Sequence, residues 1–160
     1  MLKLYRLSGS KKEYWETWED QKDVHTVHWG ELGTRGQSKT VKAAREKPAT
    51  EIIQEEIDVL VSQGFAPLDL EEHATLMIEY AVDGIGAAGD VEKRHRLQDR
   101  MNETLGWTGL GACDGGSIGG GTMEVCNFVV DFELAKKVVA EDLVGTEFAD
   151  YTRIYDEDAE

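Results

Sequence analysis

A chain of 160 residues with 41 % hydrophobic content holds enough apolar material for one mid-sized core or two small ones, which argues against a disordered chain. No apolar run approaches the ~20 residues that span a bilayer, and Lys3 and Arg6 stand where a signal peptide needs its apolar stretch, so a cytoplasmic protein without a membrane segment is expected. Residues 1–66 hold 10 Lys and Arg against 11 Asp and Glu, a net of −1, whereas residues 67–160 hold 7 against 21, a net of −14. Such a field repels nucleic acid and attracts basic partners, or serves solubility alone.

In chain order, Leu2 and Leu4 alternate with polar residues in a short strand. The runs Tyr14 to Asp20 and Val24 to Gly30 are aromatic and β-branched, as in two further strands. Gly33, Gly36 and Ser38 mark a turn, and the basic run Thr40 to Lys47 reads as a strand or a loop. Thr50 is a plausible N-cap for a helix over Glu51 to Gln63, with Ile52, Ile53, Ile57, Leu60 and Val61 on one face and Gly64 ending it. Residues 1–66 are thus expected to form a small antiparallel β-sheet with one helix. Residues 67–74, with Pro67 and three carboxylates, read as a linker.

The remainder, 75–160, reads as an acidic α+β domain. Thr75 to Val82 is a strand, Asp90 caps a helix to about Leu105, and Trp107 to Cys113 and Thr122 to Val130 are strands around a Gly-rich hairpin. Asp131 begins a helix closed by Gly145, and Glu147 to Tyr155 is a last strand before the acidic tail. Strand, helix, strand, strand, helix, strand is the split-βαβ arrangement of ferredoxin-like domains, a fold that implies no single function.

Chemistry-bearing patterns are sparse. Cys113 and Cys126 are too few for a disulfide framework and read as two small buried thiols. His25 and His28 are three apart on a strand, so they face opposite sides and do not share one metal. The glycine-rich run Gly106 to Gly121 lacks the Lys-Ser/Thr of a phosphate loop and lies between strands rather than before a helix. It reads as a flexible or bulged hairpin, with Asp114, Gly115, Gly116 and Ser117 as a possible small-ligand clamp. No catalytic set, metal or cofactor is called for.

Tyr14 and Trp15 in an early strand, Trp29-Gly30, Gly33, Gly36-Gln37-Ser38 and a helix ending in SQGFAP, with Gly64 and Phe65, are spaced as in one known module. The stretch from Tyr14 to Phe65 resembles the WGR domain, named for its Trp-Gly-Arg signature. In poly(ADP-ribose) polymerases such domains engage ends of broken DNA and neighbouring protein domains. The resemblance implies a non-catalytic binding role here, through Trp29, Gly30, Arg35, Gln37, Lys39 and Lys42. Glu31 stands in place of the signature Arg, and an acid there repels phosphate. Arg35, Lys39, Lys42, Arg45 and Lys47, opposed only by Glu46, form a basic stretch near Trp29, suited either to backbone contact with nucleic acid or to guarding a sheet edge. The expected partners are therefore nucleic acid or a nucleic-acid-associated protein through the first half. A basic protein drawn to the acidic half, as for an immunity-type antagonist, is the alternative, and a small-ligand sensor built on the glycine run is the third.

Overall fold

Alternating aromatic and polar residues in the first third of the chain build a meander of four antiparallel strands. In the computed structural model, which describes residues 1–159, these are β1 (Leu2–Arg6), β2 (Glu13–Gln21), β3 (Val24–Glu31) and β4 (Gln37–Lys42), in the order β1-β2-β3-β4. Register places Trp15 opposite Leu4 on one neighbour and opposite Trp29 on the other, so all three side chains share a face. Helix α1 (Ala49–Ser62) packs there, and Leu4, Trp15, Val27, Val41, Ala49, Ile53 and Phe65 make the core, with Trp29, Ile57 and Leu60 at its margin.

Both ends of α1 instruct. It begins at Ala49 rather than Glu51, with Pro48 as the cap residue and no side-chain cap, so Thr50 lies inside the helix. Burial of Ala49 explains the earlier start, and the Pro48 carbonyl accepts from the Glu51 and Ile52 amides. At the other end Gly64 adopts φ 97°, the Gly64 amide donates to Val61 O at 3.1 Å and the Phe65 amide to Leu60 O at 3.0 Å. This is a Schellman closure, and it turns Phe65 back into the core beside Leu60.

The chain divides into two compact units, residues 1–69 and the remainder from Leu70, and the boundary falls within the stretch 67–74. The second unit contains β5 (Ala74–Ala81), α2 (Ala88–Trp107), β6 (Gly111–Gly119), β7 (Thr122–Val129), α3 (Phe132–Leu143) and β8 (Arg153–Asp156). Its strands lie in the order β6-β7-β5-β8, every neighbour antiparallel, which is the split-βαβ topology. Central β5 buries Leu76 and Ile78 completely, and β7 alternates strictly, with Met123, Val125 and Val129 inward. Leu97, Met101 and Leu105 of α2 and Ala135, Val139 and Leu143 of α3 complete an aliphatic core. The protein is thus α+β throughout, with two four-stranded antiparallel sheets and three helices.

Several boundaries differ from the sequence expectation, each for a local reason. Trp107 ends α2 instead of opening a strand. Asp90 is not the cap of α2 but sits one turn in, its carboxylate accepting from the Ala87 amide at 2.9 Å. Asp131 does cap α3, accepting from the Leu134 amide at 3.0 Å. The last strand shortens to Arg153–Asp156, because residues before it turn so that Tyr80 Oη can donate to the Phe148 carbonyl at 2.8 Å. The glycine run forms a bulged hairpin as expected, but β6 extends through most of it, with the bulge at Cys113–Gly115 and the turn at Gly120–Gly121.

Candidate functional site

The Trp-Gly corner of the first unit is closed by two glycines. A Cβ on Gly30 would stand 2.7 Å from the Gly36 Cα, and one on Gly36 would collide with the Trp29 carbonyl oxygen. Gly36 also adopts φ +63°, so substitution there meets both crowding and backbone strain. Their close approach lets the segment after β3 fold against the sheet face away from α1. There Tyr14 Oη donates to Thr34 O at 2.8 Å, and His28 Nε2 lies 2.5 Å from Arg35 O. A carbonyl only accepts, so Nε2 carries the hydrogen. His28 Nδ1 faces Glu16 at 3.7 Å, and burial pushes the Glu16 carboxyl up against the opposing pull of Lys3 and His28. Burial, and then Glu16, raises Tyr5 to about 12. These buried polar groups hold the corner in shape.

Trp29 is half-buried against the core rather than displayed as a platform. Glu56 of α1 ties the site together: Trp15 Nε1 donates to Oε1 at 3.1 Å and Lys39 Nζ to Oε2 at 2.9 Å, with the ammonium 5.6 Å from the Trp29 ring centroid. Gln37 lies opposite Trp29, so Trp29, Gln37 and Lys39 share the helix-side face. Lys42 does not join them. Its neighbour Val41 is in the core, so Lys42 points to the other face, with Ser38 and Thr40. Arg35 is exposed, and only its carbonyl takes part in the corner. Lys47 pairs with Glu55 at 2.6 Å. The basic stretch is therefore divided between two faces, with Lys39 and Lys47 already paired to acids of α1.

Below the corner, at the C-terminal end of α1, a cleft of about 270 Å³ is lined by Arg6, Glu13, Trp15, Trp29, Glu31, Leu60 and Phe65, with Tyr14, Gly30 and Gln63 completing the wall. Arg6 donates to Glu13 through Nε at 3.0 Å and through Nη2, and its Nη1 reaches the Gln63 carbonyl at 3.2 Å. The same guanidinium lies 5.0 Å from the Phe65 ring centroid. Glu13 stands directly opposite Glu31 in the sheet. Sequence reading noticed Glu31 as a departure from the signature but missed Arg6 and Glu13. Only strand register brings them together, and the alternation within each strand was the one available clue.

Asp114, Gly115, Gly116 and Ser117 lie along edge strand β6, whose backbone is paired to β7. A bulge at Cys113–Gly115 interrupts the alternation there, and Gly115 and Gly116 bring no side chains, so the stretch offers only Asp114 and Ser117 along a paired backbone. The Arg94 side chain lies over Gly116, where a Cβ would stand 2.9 Å from its Cδ. Nearby thiols are held protonated: Cys113 is pushed up by burial, and Cys126 to about 11 by burial and then Asp114. Both cysteines are free. Among the described residues no group of three or more His, Cys, Asp or Glu is placed to hold a metal ion.

The surface of the second unit is dominated by acids. Lys93, Arg96, Arg100 and Arg153 are engaged with Asp150, Glu147, Asp142 and Glu79 at 2.7–3.1 Å. Glu147 and Glu79 are lowered by these hydrogen bonds, with Thr152 the larger cause at Glu79. Glu103, Glu133 and Glu141 are exposed and make no ion pair among the described residues. No helix among the described residues is long and apolar enough to cross a membrane. Compared with protein-family models, curated proteins and solved structures, the chain matches none.

Proposed function

We propose that the chain is a non-catalytic binding protein whose anionic second unit docks a basic protein partner. One observation carries the reading: four of that unit's seven Lys and Arg side chains are consumed in internal ion pairs, while exposed carboxylates such as Glu103, Glu133 and Glu141 stand outside any ion pair among the described residues. Complementary charge speeds encounter and selects partners by sign. The first unit is read as WGR-like, its Trp-Gly corner serving as a packed scaffold.

The test is capture from native lysate on the immobilised full chain, beside a variant carrying Glu103→Gln, Glu133→Gln and Glu141→Gln. A basic protein should be retained at low ionic strength and released above about 150 mM salt, where the screening length falls to about 8 Å. Equal retention by the neutralised variant overturns the reading.

Contact with nucleic acid through the first unit is the second reading. Arg35 and Lys42 are exposed cations without acidic partners among the described residues, and Ser38 and Thr40 lie between them along edge strand β4. Fluorescence anisotropy with short duplexes decides it: micromolar binding that falls steeply with salt supports it, and no binding at low salt removes it.

A further inference from the structure

The cleft at the end of α1 has a charge pattern that the rest of the first unit does not share. Arg6, Glu13 and Glu31 come from the ends of three adjacent strands and point to the helix side. Arg6 satisfies Glu13, but the Glu31 carboxylate makes no hydrogen bond or ion pair among the described residues, its carbonyl alone accepting from Thr34. Like charges directly opposite one another on antiparallel strands are destabilising, and one guanidinium does not neutralise two carboxylates. The last turn of α1 adds its negative end, and that turn has no basic residue of its own. The walls are aromatic and aliphatic: Trp29, Phe65 and Leu60. A volume of about 270 Å³ is below the ~300–1,000 Å³ usual for a small-molecule site, and suits a single side chain better than a cofactor.

We propose that this cleft binds one arginine side chain of a protein partner. Its guanidinium would sit between Glu31 and the ring face of Trp29, and its stem along Leu60. A planar fork donates two parallel hydrogen bonds to a carboxylate and stacks flat on an aromatic ring, whereas an ammonium meets both only as a compact point charge. Glu31, in the place where a WGR signature has Arg, thus sets the sign of the ligand. The inference rests on the basic-partner reading for the source of the arginine, while the cleft is probed directly, so each fails separately.

The experiment is a titration of the full ¹⁵N-labelled chain with the capped tripeptide acetyl-Gly-Arg-Gly-amide, reading the indole N–H signals of Trp15 and Trp29. Trp18 and Trp107 lie outside the cleft and serve as internal controls. A saturable shift confined to Trp15 and Trp29 is expected, with Kd on the order of 10 mM for so small a probe. The lysine tripeptide should bind more weakly, and the citrulline tripeptide, which has the same shape without the charge, should not saturate. Glu31→Gln lies at an exposed strand end and should fold; it is expected to weaken the arginine probe about fivefold. Absence of a saturable shift, equal binding of citrulline, or an unchanged affinity in Glu31→Gln would each overturn the proposal. So would inorganic phosphate shifting the same two signals in place of arginine. Partner capture with a silent cleft would remove the arginine site alone, and a responsive cleft without capture would remove the docking reading alone.

Discussion

The two units solve one problem with different materials. Each sets a four-stranded antiparallel sheet against helix, yet the first packs aromatic side chains under a single helix and the second packs aliphatic ones under two. In the first, the face away from α1 is filled by a polar network of Tyr14, Glu16 and His28, closed by a turn that only glycines permit. In the second, four of the seven cations are spent on neighbouring acids, and the surplus acid faces solvent. The comparison teaches that sheet topology and surface charge are set independently. A near-neutral and a strongly anionic unit arise from the same layer plan because the surface residues take no part in it.

The comparison is broken most severely by a core deletion. Leu97→Ala removes a fully buried side chain from α2 and should cost the second unit about 3 kcal/mol. Urea titration should show that unit melting earlier while the Trp15 and Trp29 indole signals of the first persist; joint loss of both would show that the units unfold together. Gly36→Ala attacks the other unit and should cost about 2 kcal/mol through φ strain and collision with the Trp29 carbonyl. Its readout is the denaturation midpoint of tryptophan fluorescence, and an unchanged midpoint would remove the glycine closure as a requirement.

The buried network gives the first unit its own pH response. Burial raises the Glu16 carboxyl above its unfolded value, so its ionised form is disfavoured in the folded state. The stability linked to Glu16 is fully present below the unfolded carboxylate pKa and is lost as pH rises through the raised folded one. Glu16→Gln should therefore raise the melting temperature at pH 8 and flatten its decline above the ordinary carboxylate range; thermal melts across pH 4–8 would check this. The smallest effect sharpens the picture of the second unit. Arg100→Ala breaks a half-exposed pair with Asp142 at 2.8 Å and should cost about 0.5 kcal/mol at low salt and less at high salt. A cost independent of salt would mean that packing of the arginine stem, rather than charge, is what α2 and α3 share there.

Much of the fold was legible because its signals are local. The two-residue alternation around Trp15 and Val27, the glycine after Gln63 and the Asp131 cap each act within a few residues of themselves. What went astray was local signal overruled by distant neighbours. A strand ending at Cys113 is expected, but β7 pairs with the glycine backbone beyond the bulge, and so β6 runs on to Gly119. Thr50 looked like a cap, but burial of Ala49 starts the helix earlier.

The amino-acid sequence by itself determined the order of strands and helices, the segregation of charge between the halves, and the presence of Glu31 beside Trp29. Only tertiary structure decided which residues meet. Register set Glu13 opposite Glu31 and brought Arg6 to the same cleft, and α1 supplied Glu55 and Glu56 to occupy Lys47 and Lys39. The physical reason is range. Periodicity is written within a few consecutive residues, whereas ion pairs and clefts depend on partners tens of residues away, which strand pairing and helix packing alone can choose.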